Sequence, residues 1–416
     1  MINFIYRNIY LLFFGFLIAF SSGFGQTFFI SLFSNDFRQT FNLTNTEFGS
    51  LYSIATVLSA ITIIWAGKLI DTVSLKKYTL VIVLGLGMTC LMASIVFNIF
   101  FLFLTIYFLR LFGQGLMGHT SRTTMARYFS INRGKALAIS GFGFSIGEMI
   151  YPTIVVVLLI TIGWRLTWFS SFLFIFIILG GSFYFLLRRN NFQKEDGFEQ
   201  HVSYQDISWR RRDVLKDYRF YIVSLNMLAM PWIATGVFVY QSFISDSKMW
   251  AIYTIPKAFM VYSITSIATL FVSGFLVDKF TGRKLIMYMN IPLLFAMITL
   301  FYFNHEIFAY VFLGLIGVSN GLANILGSST WAEIYGVKYI GSIKALTTAF
   351  MVFSTAFGTA VFGLLIDKGF TIENIAFVGA SYVVISLALL IIIRKTIEPC
   401  LLYTSPSPRD LSTYRM

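Results

Sequence analysis

Runs of about twenty apolar residues follow one another along this chain, and no other feature restricts its fold so strongly. An α-helix rises 1.5 Å per residue, so a run of about 20 residues spans the ~30 Å hydrocarbon core of a bilayer. Twelve such runs are legible, at roughly 8–32, 47–69, 79–98, 101–121, 136–160, 165–187, 219–245, 254–277, 284–303, 306–328, 342–366 and 372–394. Composition agrees: 57% of the 416 residues are hydrophobic and 12% are charged, with a mean hydropathy of +0.78. A soluble domain carries about 25% charged residues, so this chain lacks the polar surface to dissolve as a globule. The expected class is an all-α polytopic membrane protein. Thr44 with Glu47 three residues on predicts a capping box at the second span. Pro256 suits the first turn of the eighth, and Ser342 is a candidate N-cap for the eleventh.

The runs fall into two sets of six. Residues 1–187 and 219–399 flank the one long polar stretch, 188–218, expected to be a cytoplasmic linker with a surface-lying amphipathic helix. The halves echo each other. "GKLIDTVSLKK" at 67–77 returns as "GFLVDKFTGRK" at 274–284, an offset of 207. "FLRLFG" at 108–113 matches "FLGLIG" at 312–317, and "KAL" recurs at 135–137 and 344–346. Repeated six-helix halves point to a transporter fold that rocks about a central site. The tail "CLLYTSPSPRD", 400–410, resembles the translation of a transposon-based sequencing adapter, so 400–416 is set aside as non-native.

Charge gives an orientation. With both termini inside, 23 Lys and Arg fall on cytoplasmic segments and five on the outer side, a strong positive-inside bias. The net charge of +13 then faces anionic lipid and calls for no nucleic acid. A multi-pass protein of the plasma (inner) membrane, functional as a monomer, is expected.

The quoted segments also carry a family resemblance. G-x-L-x-D followed by basic residues, between spans two and three and again between eight and nine, resembles the signature loop of the major facilitator superfamily. "RLFGQGLMG", 110–118, resembles that superfamily's fourth-helix motif. "RGKALAISGFGFSIGEMIYP", 133–152, and "WAEIYG…AFGTAVFGLLIDKG" resemble its monocarboxylate and oxalate–formate porter branches. The resemblance covers nearly all of 8–394. Departures are Thr72 and Ser74, where the loop usually has a basic residue and Gly, and Gly147-Glu148 in place of the Gly-Pro pair of drug antiporters.

The resemblance implies a role for the charged loops. Asp71 would face the start of span eleven near Ser342, and Asp278 the start of span five near Arg133. Both contacts would bridge the halves inside and hold the outward-facing state. Gly67 and Gly274 would let backbones approach, while Lys76, Lys77, Arg283 and Lys284 would meet lipid phosphate or acidic loop residues. A carboxylate beside a helix N-terminus gains a few tenths to ~2 kcal/mol.

Arg110 and Glu148 lie within spans. Counting 1.5 Å per residue places Arg110 ~16 Å above the inner face and Glu148 ~18 Å above it. Intramembrane charges face one another or a cavity, so the two are expected to form a pair, with proton uptake at Glu148 competing with its contact to Arg110. Gln26, Asn226, Tyr240, Gln241, Asn320 and Asn324 are the polar candidates for lining a substrate cavity. Asn320 and Asn324, at i and i+4, share one helix face.

Other chemistries leave no mark. There is no P-loop, no metal-ligand spacing among His119, His201 and His305, and Cys90 alone remains once the tail is set aside. No cofactor, metal or catalytic constellation is expected. The expected activity is alternating-access transport of a small organic anion, driven by protons or exchange. Proton-driven efflux of an amphipathic compound stays open, as does a transporter-like sensor.

Overall fold

The computed structural model describes residues 2–129, 133–189, 209–336 and 339–397. The tail 400–416 and most of the 188–218 stretch lie outside them; of that stretch, the structure gives a four-residue helix, Arg211–Val214. Ten helices are long and apolar enough to cross a membrane, and eleven when the bent N-terminal pair counts as one. One of the ten, Lys135–Leu187, has 53 residues. At 1.5 Å per residue it is far longer than one crossing, and it turns at Gly163 (φ 77°, ψ 167°), a conformation that glycine adopts without steric cost. It therefore holds two of the twelve expected spans.

We number the spans accordingly. They are α1 (Ile9–Ser21), α2 (Asn45–Ala66), α3 (Leu75–Ser94), α4 (Ile99–Tyr128), α5 (133–162), α6 (164–189), α7 (Tyr218–Val239), α8 (Thr254–Phe280), α9 (Gly282–Tyr302), α10 (Ile307–Tyr335), α11 (Ile340–Asp367) and α12 (Ile372–Ile392). "Outer" denotes the face bearing the N-terminus of α2, following the Lys/Arg asymmetry.

Local sequence sets several boundaries. Thr44 Oγ1 accepts from Glu47 N at 3.1 Å and Glu47 Oε2 accepts from Thr44 N at 2.8 Å, the expected capping box. Asn98 caps α4 through Phe101 N at 2.7 Å. Pro256 lies in the first turn of α8. Ser342 is not an N-cap: α11 begins two residues earlier, with Tyr339 before it.

Of the spans that depart from regular α-helix, α1 and α4 touch. α1 gives way to a 3₁₀ turn at Ser22–Gly25, becomes extended at Gln26 (φ −81°, ψ 156°) and resumes as Thr27–Ile30. α4 widens to a π-helix over Leu109–Met117. The backbones meet at Gly25 and Gly113: a methyl built on Gly113 would lie 2.6 Å from Gly25 Cα. Only glycine permits that approach.

Aromatic packing fills the interior. Phe33 stacks near Trp168 at 4.5 Å between centroids, with Phe29 against both Trp168 and Tyr151. A second cluster of Phe220, Trp331 and Tyr335 holds the inner end of the C-terminal half. Large apolar side chains such as Ile64, Phe275 and Ile392 are exposed, as suits a surface that lipid covers.

Candidate functional site

The broken α1 explains where Arg110 goes. Its guanidinium is 2% exposed. Nη1 donates to Thr27 Oγ1 at 3.1 Å and to Gly25 O at 3.4 Å, and Cζ lies 5.2 Å from the Tyr52 ring centroid. At the break in α1 the buried guanidinium supplies a donor to one backbone carbonyl, Gly25 O, and to the Thr27 hydroxyl. Tyr52 in turn donates to Thr27 Oγ1 at 3.0 Å. Nε remains without a hydrogen bond.

Glu148 has other surroundings. It is half-buried on α5 and makes no hydrogen bond or ion pair among the described residues. The expected Arg110–Glu148 pair is not formed. A depth counted along the helix does not decide partners; helix azimuth does, and Arg110 points at α1 and α2. Glu148 instead lies close enough to Tyr262 of α8 to interact electrostatically. The register agrees: Phe142 packs on Phe271 at 5.8 Å and Thr153 Oγ1 donates to Pro256 O at 3.5 Å, so the stretch of α8 opposite Glu148 is near residue 262. Pro152 has no N–H to give the carbonyl four residues back, which is that of Glu148 itself. The carboxyl of Glu148 thus has no hydrogen-bond partner among the described residues, and its carbonyl lacks the usual helical donor.

The six polar candidates separate. Asn226 is fully buried in a knot within the C-terminal half, donating to Ile286 O at 3.3 Å and accepting from Asn290 Nδ2 at 3.0 Å. It does not line a cavity. Tyr240 and Gln241 are also buried, and both join the halves on the outer side rather than face a substrate: Tyr240 OH donates to Asn45 O at 2.8 Å, and Gln241 Nε2 donates to Ser31 Oγ at 2.8 Å. Asn320 Nδ2 ties α10 to α8 through Ser266 Oγ at 3.0 Å. Asn324 is exposed one turn inward, and Gln26 is half-buried at the break of α1. These two remain open to a cavity.

Hydrogen bonds between the halves cluster on the outer side. Asp367, at the C-terminal end of α11, accepts from Thr46 N at 2.6 Å, Asn45 N at 3.1 Å and Asn45 Nδ2 at 2.8 Å. It caps the first turn of α2, where backbone donors have no helical partner. Ser53 Oγ donates to Ala356 O at 2.7 Å and contacts Thr359 Oγ1. Ser34 Oγ donates to Val239 O at 3.3 Å. Sequence reading missed Asp367 as a functional candidate, although G-x-L-I-D at 363–367 was a visible signal.

On the inner side, the side chains of Asp71, Asp278, Arg133 and Ser342 lie outside the described part of the structure. Their neighbours are described. A methyl on Gly67 would come within 2.7 Å of Ile63 O and 3.4 Å of His119 Nε2. Gly274 differs from expectation: a methyl there would meet open space, so no backbone approach depends on it. Lys76 lies over the Tyr184 ring at 5.3 Å, and Lys77 and Lys284 are exposed. Arg283 pairs with Glu333 at 3.8 Å, and Glu333 also accepts from Gly282 N at 2.7 Å and Arg283 N at 3.0 Å. This acid comes from the inner end of α10, in the same half.

Two helical halves, helices that break within the membrane, and a closed outer side define a multi-pass membrane transporter. The chain belongs to the Major Facilitator Superfamily, whose family model matches residues 15–359. A solved structure of a bacterial homolog to the human lysosomal transporter Spinster, described as inward-facing and occupied, is similar to it with a TM-score of 0.65 and 14% identity, over 94% of this chain and 96% of that one. The inward-facing, unoccupied form gives a TM-score of 0.66 at 13% identity, over 95% and 99%. A mutant of the nucleoside transporter NupG gives 0.63 at 13%, over 92% and 99%. At these identities the likeness is one of fold. No curated protein sequence matches the chain. The monocarboxylate and oxalate–formate branch expected from sequence has no support among these similarities.

Proposed function

We propose that this chain moves a small organic solute by alternating access, with Glu148 as the group that takes up and releases a proton. The reading assigns both termini to the cytoplasm and makes the closed outer side one end of the cycle, inward-facing. One observation carries it: Glu148 is an intramembrane carboxyl with no ion-pair or hydrogen-bond partner among the described residues, at the junction of two halves that must part and rejoin. Intramembrane ionisable groups are costly and mark ion or substrate pathways. Asp367, Tyr240 and Ser53 would close the outer side, while Asp71 and Asp278 would close the inner side in the opposite state.

The favoured solute remains a small organic anion. Arg110 no longer serves as its binding charge, being engaged with the broken α1. The test starts by screening the purified protein for thermal stabilisation by organic acids and by amphipathic amines. Uptake of the best compound into proteoliposomes should respond to an imposed pH gradient in the wild type. Glu148→Gln should lose that response while retaining counterflow exchange, which moves no net proton. An unchanged pH response in Glu148→Gln would remove Glu148 from the coupling step. Stabilisation by amines alone would favour the efflux reading.

A further inference from the structure

Arg122 is one of the 23 Lys and Arg that the charge asymmetry assigns to cytoplasmic segments, and the structure places it on α4. On α4 the fully buried Thr120 and Thr124 face the interior of the N-terminal half. Ser121 donates to Gly15 O of α1 at 2.9 Å, and Arg127 donates to Ile70 O at 3.1 Å beyond the end of α2. At 100° per residue, Arg122 points away from the two threonines, and its contact is with α5. Its guanidinium lies over the Phe144 ring of α5, 5.5 Å from the centroid, and Nη2 reaches back to within 3.6 Å of a methyl built on Gly118. Gly118 is ten residues from the inner end of α4 and Phe144 eleven from the start of α5, so both sit ~15 Å into the membrane.

Arg122 is solvent-exposed at that depth while crowded by protein atoms, which is how a cavity-lining group differs from a surface one. It makes no hydrogen bond or ion pair among the described residues. Phe144 and Glu148 stand at i and i+4 on one face of α5, so Glu148 is one turn deeper than the ring under Arg122.

We infer that Arg122, backed by Phe144, is the recognition site for the anionic group of the transported solute, and that the solute is an organic monocarboxylate. A guanidinium presents paired N–H donors that match the two oxygens of a carboxylate. The Phe144 ring offers an apolar surface to the carbon skeleton next to it. A phosphate or other dianion fits less well, because the charged residue one turn along this face of α5, Glu148, is an acid. This inference rests on the transport reading above and names its substrate class.

The test uses full-length protein in nanodiscs, with benzoate and lactate as probes, their neutral amides benzamide and lactamide as controls, and inorganic phosphate as competitor. Saturable binding of at least one carboxylate, none of its amide, and weak competition by phosphate are expected. A charge-assisted hydrogen-bond pair contributes enough that Arg122→Gln should weaken carboxylate binding about ten- to a hundredfold. Arg122→Lys should fall between, and both variants should melt as the wild type does without ligand. Wild-type affinity in Arg122→Gln, binding of the amides, or displacement by phosphate at equal concentration would each overturn the assignment. Carboxylate binding by the Arg122 variants reads the recognition site, and the pH response of uptake in Glu148→Gln reads proton coupling, so the two readings fail separately.

Discussion

The pentapeptide G-x-L-I-D occurs twice at the ends of facing helices, on opposite sides of the membrane. Gly67 to Asp71 follows α2 on the inner side, and Gly363 to Asp367 closes α11 on the outer side. In the outer copy the acid caps the first turn of α2 with three donors between 2.6 and 3.1 Å. The family resemblance implies the reciprocal arrangement for the inner copy, Asp71 against the start of α11. Each helix would then end in an acid that caps the beginning of the other, and only one cap need be closed at a time. The outer copy shows what such a latch consists of: an acid at a helix N-terminus, a nearby tyrosine, and glycines that let α2, α7 and α11 approach.

The largest effect should come from denying that approach. A methyl on Gly49 would lie 2.6 Å from Thr359 O, a backbone atom of the other half. Gly49→Val should disfavour the closed outer side by about 3 kcal/mol, roughly a hundredfold in the conformational ratio. Spin labels at Phe41 and Lys368 in a cysteine-free background should then report a long outer distance, and uptake should nearly vanish. A short distance would show that the outer glycines do not govern closure.

Asp367→Asn should act in the same direction but less. An exposed acid at a helix N-terminus is worth about 1–2 kcal/mol at best, so the ratio should shift roughly five- to thirtyfold. The same label pair measures it. Asp71→Asn should act in the opposite direction by about 1 kcal/mol, roughly fivefold, and speed labelling of a cysteine introduced into the inner cavity. If Asp71→Asn and Asp367→Asn shift the ensemble the same way, the reciprocal latch is wrong. The smallest effect belongs to Gly274→Ala. Its methyl meets open space in this state, and uptake should stay within about twofold of wild type, the range of an unremarkable surface change. A large loss there would mean that Gly274 is pressed against a neighbour in the other state.

Much of this was legible in sequence because it depends on solvent and on local rules. Twenty apolar residues need a bilayer, and Thr44 with Glu47 caps a helix wherever it sits. Tertiary placement was not legible, as Arg110 and Glu148 illustrate. Rise per residue gives each a depth, but depth is one coordinate of three. Arg110 turned toward the Gly25 carbonyl and the Thr27 hydroxyl at the break of α1, a break that no proline announces. Asn226, Tyr240 and Gln241 were read as candidates for lining a cavity, and their partners proved to be other parts of the protein.

The sequence by itself determined the class of molecule, the helical spans, the two-fold repetition and the family, since each follows from hydropathy, spacing or motif along one dimension. Only the tertiary structure decided which charges are spoken for and which stay open. Arg110 is held by the Gly25 carbonyl, the Thr27 hydroxyl and the Tyr52 ring from two other helices, while Arg122, twelve residues later on the same helix, lies over a phenylalanine and has no hydrogen bond or ion pair among the described residues. The physical reason is that a buried ion is defined by everything within a few ångströms of it, and in a helical bundle those neighbours come from distant parts of the chain.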